Sequence, residues 1–219
     1  MSICLAVSDA NWALTKDVFS MVGAMVSAAA VTIAYYFGRQ GMKTWKRQLK
    51  GSSDHELARK ALIELFRYRE AIERARSPVM FGFETELTED EAKGLDFSRR
   101  SHFGKRKGYQ KRFNRIAEAR EPIHGTLLDS EAVWGKQLTA LFKPLFSLQH
   151  EFYSYVESYL IATDPDFDDD YRRAYSDIVD GRRDVMYDAL DELGDDYRKE
   201  FNSAVVVIED YLRPKLISG

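Results

Sequence analysis

An uncharged segment from Val18 to Phe37 constrains this chain more than any other feature of its sequence. At a rise of about 1.5 Å per residue, roughly 20 helical residues cross the ~30 Å hydrocarbon core of a bilayer. Lys16 and Asp17 border the segment on one side, and Arg39 borders it on the other. The segment therefore predicts a transmembrane helix.

The charges beside this segment predict its orientation. Lys16 is accompanied by Asp9 and Asp17 before the span. After the span no acidic residue interrupts a run of basic ones, which are Arg39, Lys43, Lys46, Arg47 and Lys50. Because basic flanks stay on the cytoplasmic side, we expect the C-terminal part in the cytoplasm and the short N-terminus outside.

Two alternatives compete with a span: a cleaved signal peptide and a buried core helix. Residues 28–30 (Ala-Ala-Ala) offer a small-residue cleavage site. However, the preceding region is not basic, and the apolar run continues past the site to a dense basic stop. A core helix of this length without any charge is uncommon. The span is the favoured interpretation.

Residues at the edge and along one face of the span suggest its contacts. Aromatic and basic side chains at the membrane interface predict anchors at Tyr35, Tyr36, Trp45, Lys46 and Arg47. Small residues at spacings of three and four are typical of close helix packing in membranes, and here they include Gly23, Ser27, Ala30 and Ala34. This face predicts a homo-oligomer through the span, although small residues are so frequent here that chance also produces such a stripe.

The remaining chain has the composition of a folded helical domain. Hydrophobic residues make up 45% and charged residues 31% of the sequence. Gly51 predicts the end of the first helix, and the Ser53–Glu56 capping box predicts the start of the next, which ends at Ser77-Pro78. Spacings of three and four in that helix predict one buried stripe, formed by Ala58, Ala61, Leu65, Tyr68, Ile72 and Ala75.

Further helices follow from periodicity and from breakers. Segment 79–98 is acidic and predicts a loop with a short helix, and 105–120 predicts a helix that Pro122 and Gly125 end. Segment 163–170 predicts a loop, 171–193 partial helix, and the last helix is predicted to end at Arg213-Pro214. A long apolar stripe interrupted by Pro144 comprises Trp134, Leu138, Leu141, Leu145, Leu148, Phe152, Tyr155 and Tyr159.

These elements predict an all-α protein. One N-terminal transmembrane helix is followed by a cytoplasmic bundle of about four to six helices. The predicted organisation is an extracytoplasmic N-terminus at 1–17, the span at 18–38, a basic junction at 39–52 and the helical domain at 53–219.

Motifs for chemistry are weak, and we predict no catalytic residue, no metal site and no cofactor. The sequence has no phosphate-binding glycine loop and no H-E-x-x-H motif. Aspartates at alternate positions from Asp164 to Asp170 resemble the start of a calcium loop, but the required glycine and final glutamate are missing. A solvated acidic loop that caps the next helix is the favoured interpretation.

A basic segment with interleaved aromatic residues is the most suggestive functional feature. Candidate contacts to anionic lipid or nucleic acid are Arg99, Arg100, Lys105, Arg106, Lys107, Lys111 and Arg112, and Arg115 continues the series. The acidic segment directly before it and the aspartate-rich C-terminal third provide intramolecular partners, and solvated or internally paired charge is the favoured of the three interpretations. Nucleic acid is the least favoured of the three.

The junction and the C-terminus also carry a resemblance. The stretch Thr44-Trp45-Lys46-Arg47-Gln48-Leu49-Lys50-Gly51, together with Glu56–Lys60, Arg67–Ile72, Arg76-Ser77-Pro78 and Ile208–Pro214, resembles uncharacterised bacterial and prophage-associated membrane proteins. These have one N-terminal span and a W-K-x-Q-L-x-G junction. The resemblance implies a bacterial inner-membrane topology and a phage or prophage setting, and it transfers no activity.

The favoured function is accordingly a membrane-tethered helical interaction or scaffold protein whose only firmly expected partner is the lipid bilayer, with an unidentified protein partner. Two alternatives stay open. One is a divalent-metal-dependent effector or enzyme that uses the aspartate-rich C-terminal region. The other is a nucleic-acid-binding protein that uses the basic segment at the membrane.

Overall fold

The computed structural model describes residues 9–189 and 195–217, without the side chains of 9–14 and of residue 47. Over these residues the structure is all-helical, with 84% helix, which confirms the predicted all-α class. No strand occurs within the described ranges. The helices are α1 (Asp9–Ala75), α2 (Gly82–Thr85), α3 (Glu89–Ala92), α4 (Phe97–Trp134), α5 (Gln137–Ala162), α6 (Asp169–Asp180) and α7 (Asp196–Ile217).

The chain divides into two compact units, the first ending at Ser52 and the second beginning at Ser53. Over its described residues, the first unit is the N-terminal part of α1. Its large apolar side chains are exposed along the whole segment; Val18 at one end is 57% exposed and Phe37 at the other is 67% exposed. The hydroxyl of Thr32 donates a 2.8 Å hydrogen bond to the carbonyl of Ala28, so a polar group inside the apolar run is satisfied by the helix itself.

The second unit has its hydrophobic core between α1, α4, α5 and α7. The predicted α1 stripe is buried: Ala58, Ala61, Leu65, Tyr68, Ile72 and Ala75 are each at most 2% exposed. α5 contacts α4, α6 and α7, and its Phe142, Leu145 and Phe152 are equally buried. Two phenols anchor their rings in this core, because Tyr68 donates to Gln149 Oε1 at 2.8 Å and Tyr197 donates to the Leu148 carbonyl at 3.0 Å.

Gly51 does not end a helix, contrary to the sequence prediction. α1 continues through it, and the described glycines with positive φ are Gly94 and Gly135. The predicted capping box at Ser53 is therefore also wrong, since no helix begins there. The neighbouring Asp54 instead accepts a 2.8 Å hydrogen bond from the Trp134 indole N–H, which fixes α1 against the end of α4.

Three prolines lie inside helices, where the sequence predicted breaks or, for Pro144, a kink or an end. Pro122 lies within α4, Pro144 within α5 and Pro214 within α7. A proline leaves the carbonyl four residues earlier without its helical partner. Each of these prolines is exposed, and so is the residue four positions before it. Water can therefore satisfy the freed carbonyls, and the helices continue. Gly125 likewise lies within α4.

The break in the long apolar stripe lies at Gly135 instead. α4 ends at Trp134, Gly135 has φ of 76°, and α5 begins at Gln137. The stripe's spacing runs across this turn, so Trp134 and Leu138 share a periodicity without sharing a helix. A glycine at positive φ costs little, which makes this position suited to the turn.

Two glycines let the acidic segment approach α4 closely. A Cβ atom on Gly104 would lie 2.9 Å from the Thr85 carbonyl oxygen, and one on Gly108 would lie 3.2 Å from the Met80 sulfur. The first distance is a clash with backbone. The contact between α2 and α4 therefore depends on the missing side chain at Gly104.

Substituting alanine at two glycines of α4 should change stability in opposite directions. Gly104→Ala should lower the free energy of unfolding by about 1–3 kcal/mol because it overpacks the α2 contact. Gly125→Ala should raise it by up to about 1 kcal/mol, because alanine favours helix and its Cβ would meet nothing within 4 Å. Urea unfolding of the detergent-solubilised chain measures both. Equal effects of the two substitutions would contradict this account of the α2 contact.

Candidate interaction surface

The basic segment lies on the first half of α4, and its side chains turn mainly to partners within the chain. Arg99 pairs with Asp166 at 2.7 Å, and Arg100 donates to the Ala92 carbonyl at 3.2 Å. The carboxylate of Asp96 caps the helix by accepting from the Arg99 N–H at 2.9 Å. The start of α4 is thus fastened to the acidic segments on either side of it.

The lysines of the segment are engaged in the same way. Lys105 donates to the Tyr159 phenol at 3.2 Å, and Lys111 donates to the Phe83 carbonyl at 2.6 Å. Lys107 pairs with Glu91 at 2.6 Å. The hydrogen bond from Lys107, with a backbone bond from Thr88, lowers the pKa of Glu91 to about 2. Arg106 is exposed, and no ion pair is found for it within the described part of the chain.

Arg112 corrects the predicted set of external contacts. Its side chain is 3% exposed. It donates to the carbonyls of Ala75, Ser77 and Val79 at 3.0, 2.7 and 2.6 Å, and to both carboxylate oxygens of Glu84 at 3.2 and 3.1 Å. A guanidinium with these partners cannot contact lipid or nucleic acid. Arg112 instead holds the end of α1 against α2.

Glu84 stays ionised in this buried pair. Burial alone would raise the pKa of its carboxyl, but the hydrogen bonds from Arg112 and from the Phe81 N–H outweigh burial and hold the pKa below its usual range. Arg115 adds a weaker attraction at 3.7 Å. The carboxylate also caps the start of α2 by accepting a hydrogen bond from the Phe81 N–H at 3.0 Å.

Above this pair lies a cleft between the end of α1, the 77–84 segment and α4, with a volume of about 540 Å³. Its outer wall is a pair of stacked phenylalanines, Phe81 and Phe83, whose ring centroids lie 5.6 Å apart at an interplanar angle of 8°. Both rings are more than half exposed, at 59% and 57%. Such a volume lies within the range of ligand pockets, and exposed aromatic rings are typical of interaction sites.

The charge of this cleft, named here the arginine–phenylalanine cleft, is positive. Four arginines and two glutamates line it, namely Arg67, Arg74, Arg112, Arg115, Glu70 and Glu84. Arg112 and Glu84 neutralise each other, and Arg74 pairs with Glu70 at 2.6 Å. Arg67 and Arg115 therefore supply the excess charge. Arg67 is exposed and has no ion pair within the described residues.

Sequence reasoning missed this cleft almost entirely. Of its lining residues, only Arg112 and Arg115 belong to the predicted basic segment. Phe81-Gly82-Phe83 carried a signal, since two large apolar residues flank a glycine in an otherwise acidic, non-periodic stretch. Their meeting with Arg67 depends on long-range packing of α1 and α4, which local spacing does not encode.

A second cleft, of about 420 Å³, lies between α4 and the end of α5. His102 and Asp164 face each other there at 3.4 Å and are both about nine-tenths buried. Burial lowers the pKa of His102, while the nearby Asp164 carboxylate opposes that shift, so the imidazole is neutral at pH 7. Arg106 and Glu157 at the rim nearly balance in charge, which leaves no strong preference for a charged ligand.

The aspartate-rich region has local structural roles. Asp164 accepts from the Asp166 N–H at 3.0 Å, and Asp168 caps α6 by accepting from the Tyr171 N–H at 2.8 Å. Within the described residues, no three His, Cys, Asp or Glu side chains are close enough to hold a metal ion. These roles fit the acidic-loop interpretation better than a calcium loop.

In the first unit, the predicted membrane residues are exposed. They are Tyr35, Tyr36, Trp45 and Lys46, with the small residues Gly23, Ser27, Ala30 and Ala34. A Cβ on Gly23 would meet nothing within 4 Å, so the small-residue face has no partner within the described chain. The Arg47 side chain lies outside the described residues.

Comparisons of this chain with protein-family models, curated proteins and solved structures give no match. The resemblance to bacterial and prophage membrane proteins therefore stays a prediction. What the molecule does has to be argued from its own surfaces.

Replacing Arg112 by lysine should destabilise the second unit strongly. An ammonium cannot span three carbonyls and a carboxylate, and it leaves Glu84 buried with incomplete pairing, which costs about 3 kcal/mol or more. Arg100→Lys, on the same helix but exposed, should change the free energy of unfolding by less than about 0.5 kcal/mol. Urea unfolding followed by tryptophan fluorescence compares the two. Similar midpoints would contradict the structural role of Arg112.

The ion pair of Glu84 with Arg112 should also make the free energy of unfolding depend on pH. Because the folded pKa of Glu84 lies below the unfolded value near 4.3, its contribution is complete above that value. It is lost as pH falls from there through the folded pKa. Glu84→Gln should therefore destabilise the chain at pH 7, and its deficit relative to wild type should narrow below about pH 4. A deficit independent of pH would exclude this assignment.

Proposed function

We propose that the protein is a single-span membrane protein that presents a helical interaction domain to the cytoplasm. The supporting observation is the N-terminal part of α1. It contains an apolar window with mean hydropathy 1.8, none of which is buried. A core helix of a soluble protein would be mostly covered. Here the side chains from Val18 to Phe37 are left for another environment, and lipid is the one that their length and composition fit.

The basic junction supports the cytoplasmic orientation. Arg39, Lys43 and Lys46 are exposed, as positive-inside anchors at a lipid headgroup layer must be. The 53–219 region then acts as a bundle on the inner side of a bacterial cytoplasmic membrane. A phage or prophage setting, implied by the resemblance, is part of this proposal.

We infer that the domain works through a surface rather than through chemistry. The arginine–phenylalanine cleft combines exposed stacked rings with excess positive charge, which fits an acidic partner that carries apolar side chains. The alternatives have less support. The basic segment is largely occupied by internal partners, which weakens the case for nucleic acid, and the aspartates serve as caps and ion-pair partners.

The native Cys4 provides a direct test of topology, because it is the chain's single cysteine and precedes the span. In bacterial spheroplasts, a membrane-impermeant maleimide should label full-length protein, and a reporter active only in the cytoplasm should work when fused after Gly219. The protein should resist carbonate extraction. Charging the span with Val26→Lys and Ile33→Lys should release it, whereas Val26→Leu and Ile33→Leu should not.

Each contrary result has a distinct meaning. A shortened product that has lost the Cys4 label would indicate a cleaved signal peptide. An inactive reporter with an unlabelled N-terminus would show the reverse orientation. Full extraction by carbonate would overturn the membrane anchor itself.

A further inference from the structure

The aromatic face of α6 is partly exposed. None of the residues of α6 is buried. Phe167, Tyr171 and Ile178 are 42%, 42% and 41% exposed. The rings of Phe167, Tyr171 and Tyr175 form a ladder with centroid separations of 4.9 and 5.0 Å. α6 packs on α5 but leaves about two fifths of each of the Phe167, Tyr171 and Ile178 side chains exposed, which is surface that a partner can cover.

The surroundings of this α6 face are strongly acidic. Segment 164–180 holds two arginines, Arg172 and Arg173, against seven aspartates, which are Asp164, Asp166, Asp168, Asp169, Asp170, Asp177 and Asp180. The arginines are paired within α6, with Asp169 and Asp170. Asp170 and Asp177 lie seven residues apart, on the edge of the helix beside the rings. The face therefore fits a cationic partner that also offers apolar contacts.

The arginine–phenylalanine cleft of the same unit has the complementary character. Arg67 and Arg115 give it excess positive charge, and the exposed rings of Phe81 and Phe83 give it an apolar wall. The two surfaces share no residue. One carries aromatic groups edged by aspartates, and the other carries aromatic groups edged by arginines.

We propose that the α6 face of one copy docks into the arginine–phenylalanine cleft of a second copy. This rests on the proposed membrane anchoring, which confines the copies to one bilayer and raises their effective concentration. Aspartates of α6 approach Arg67 and Arg115, while Tyr171 and Ile178 pack against Phe81 and Phe83. Guanidinium groups also bind favourably over the tyrosine ring faces.

Because the contact joins two different patches, it is heterologous. Each copy keeps one free face and one free cleft after the first docking, so association continues to chains or closes into a ring. This differs from the homo-oligomer predicted through the small residues of the span, which would pair the same face on both copies. The two contacts are separable by mutation.

Two variants remove one surface each, at exposed side chains. The cleft variant is Arg67→Glu with Phe83→Ser, and the face variant is Tyr171→Ser with Ile178→Ser. Sedimentation velocity of the full chain in neutral detergent should show wild type growing beyond dimers with concentration. Each variant alone should stay monomeric, with association weakened by about tenfold or more. An equimolar mixture should form a heterodimer and nothing larger, since each copy contributes one intact surface.

Salt and a span variant serve as controls. Raising salt from about 0.05 M to 0.5 M should weaken wild-type association, because exposed charges are screened. Gly23→Leu, in the small-residue face, should leave association unchanged. Unaltered circular dichroism and urea midpoints confirm that the cleft and face variants fold.

Several outcomes would overturn the proposal: monomeric wild type at all concentrations, wild-type association of either folded variant, failure of the mixture to dimerise, or loss of association in Gly23→Leu. These outcomes are independent of the topology test. A protein that is anchored but monomeric would contradict the docking proposal and leave the membrane proposal standing. If carbonate extracts the protein but it still assembles head to tail, the membrane proposal fails and the docking proposal stands.

Discussion

Two buried arginines at the end of α1 hold the second unit together. Arg112 binds the Ala75 carbonyl at the end of the helix and the Glu84 carboxylate. Arg76 donates to the Val185 carbonyl at 2.8 Å and pairs with Asp195 at 2.6 Å, above the Tyr197 ring. Helix ends leave carbonyls without partners, and cations are favourable there. These arginines therefore do more than pair charge: they join the end of α1 to α2, α4 and the segment before α7.

That arrangement also explains why the arginine–phenylalanine cleft is where it is. With Arg112 directed inward to three carbonyls, the chain from Ala75 to Glu84 is drawn over α4 as an irregular segment. Phe81 and Phe83 then lie outside the hydrophobic core, and their exposed rings stack on each other. The same interaction that satisfies the end of α1 thus creates an exposed apolar wall beside Arg67 and Arg115. The contacts of Arg112 therefore both stabilise the fold and expose the two rings of the cleft.

Periodicity predicted much of the helical core, and local breakers predicted its boundaries poorly. The stripe from Ala58 to Ala75 is buried as its spacing indicated, because burial on one side of a helix imposes that spacing directly. Pro122 and Pro214 failed as signals because water can satisfy the carbonyls that they free, and that exposure is a tertiary property. Arg112 shows the reverse case. It sits three residues after Tyr109 and four before Ile116, on a buried stripe, yet its charge placed it with the exposed basic residues.

The pairing of charges within the second unit determines the net charge of its exposed surfaces. Arg99 and Lys107 of the basic segment pair with carboxylates in the same chain, and so does Arg183 near α6. Part of the basic charge is therefore neutralised at short range. The cleft carries an excess of arginines and the α6 segment an excess of aspartates, and exposed rings lie at both. A surface that had evolved only for solubility would disperse both signs and bury its large rings. Retaining opposite charges beside exposed aromatic groups on two separate patches instead favours contact between copies.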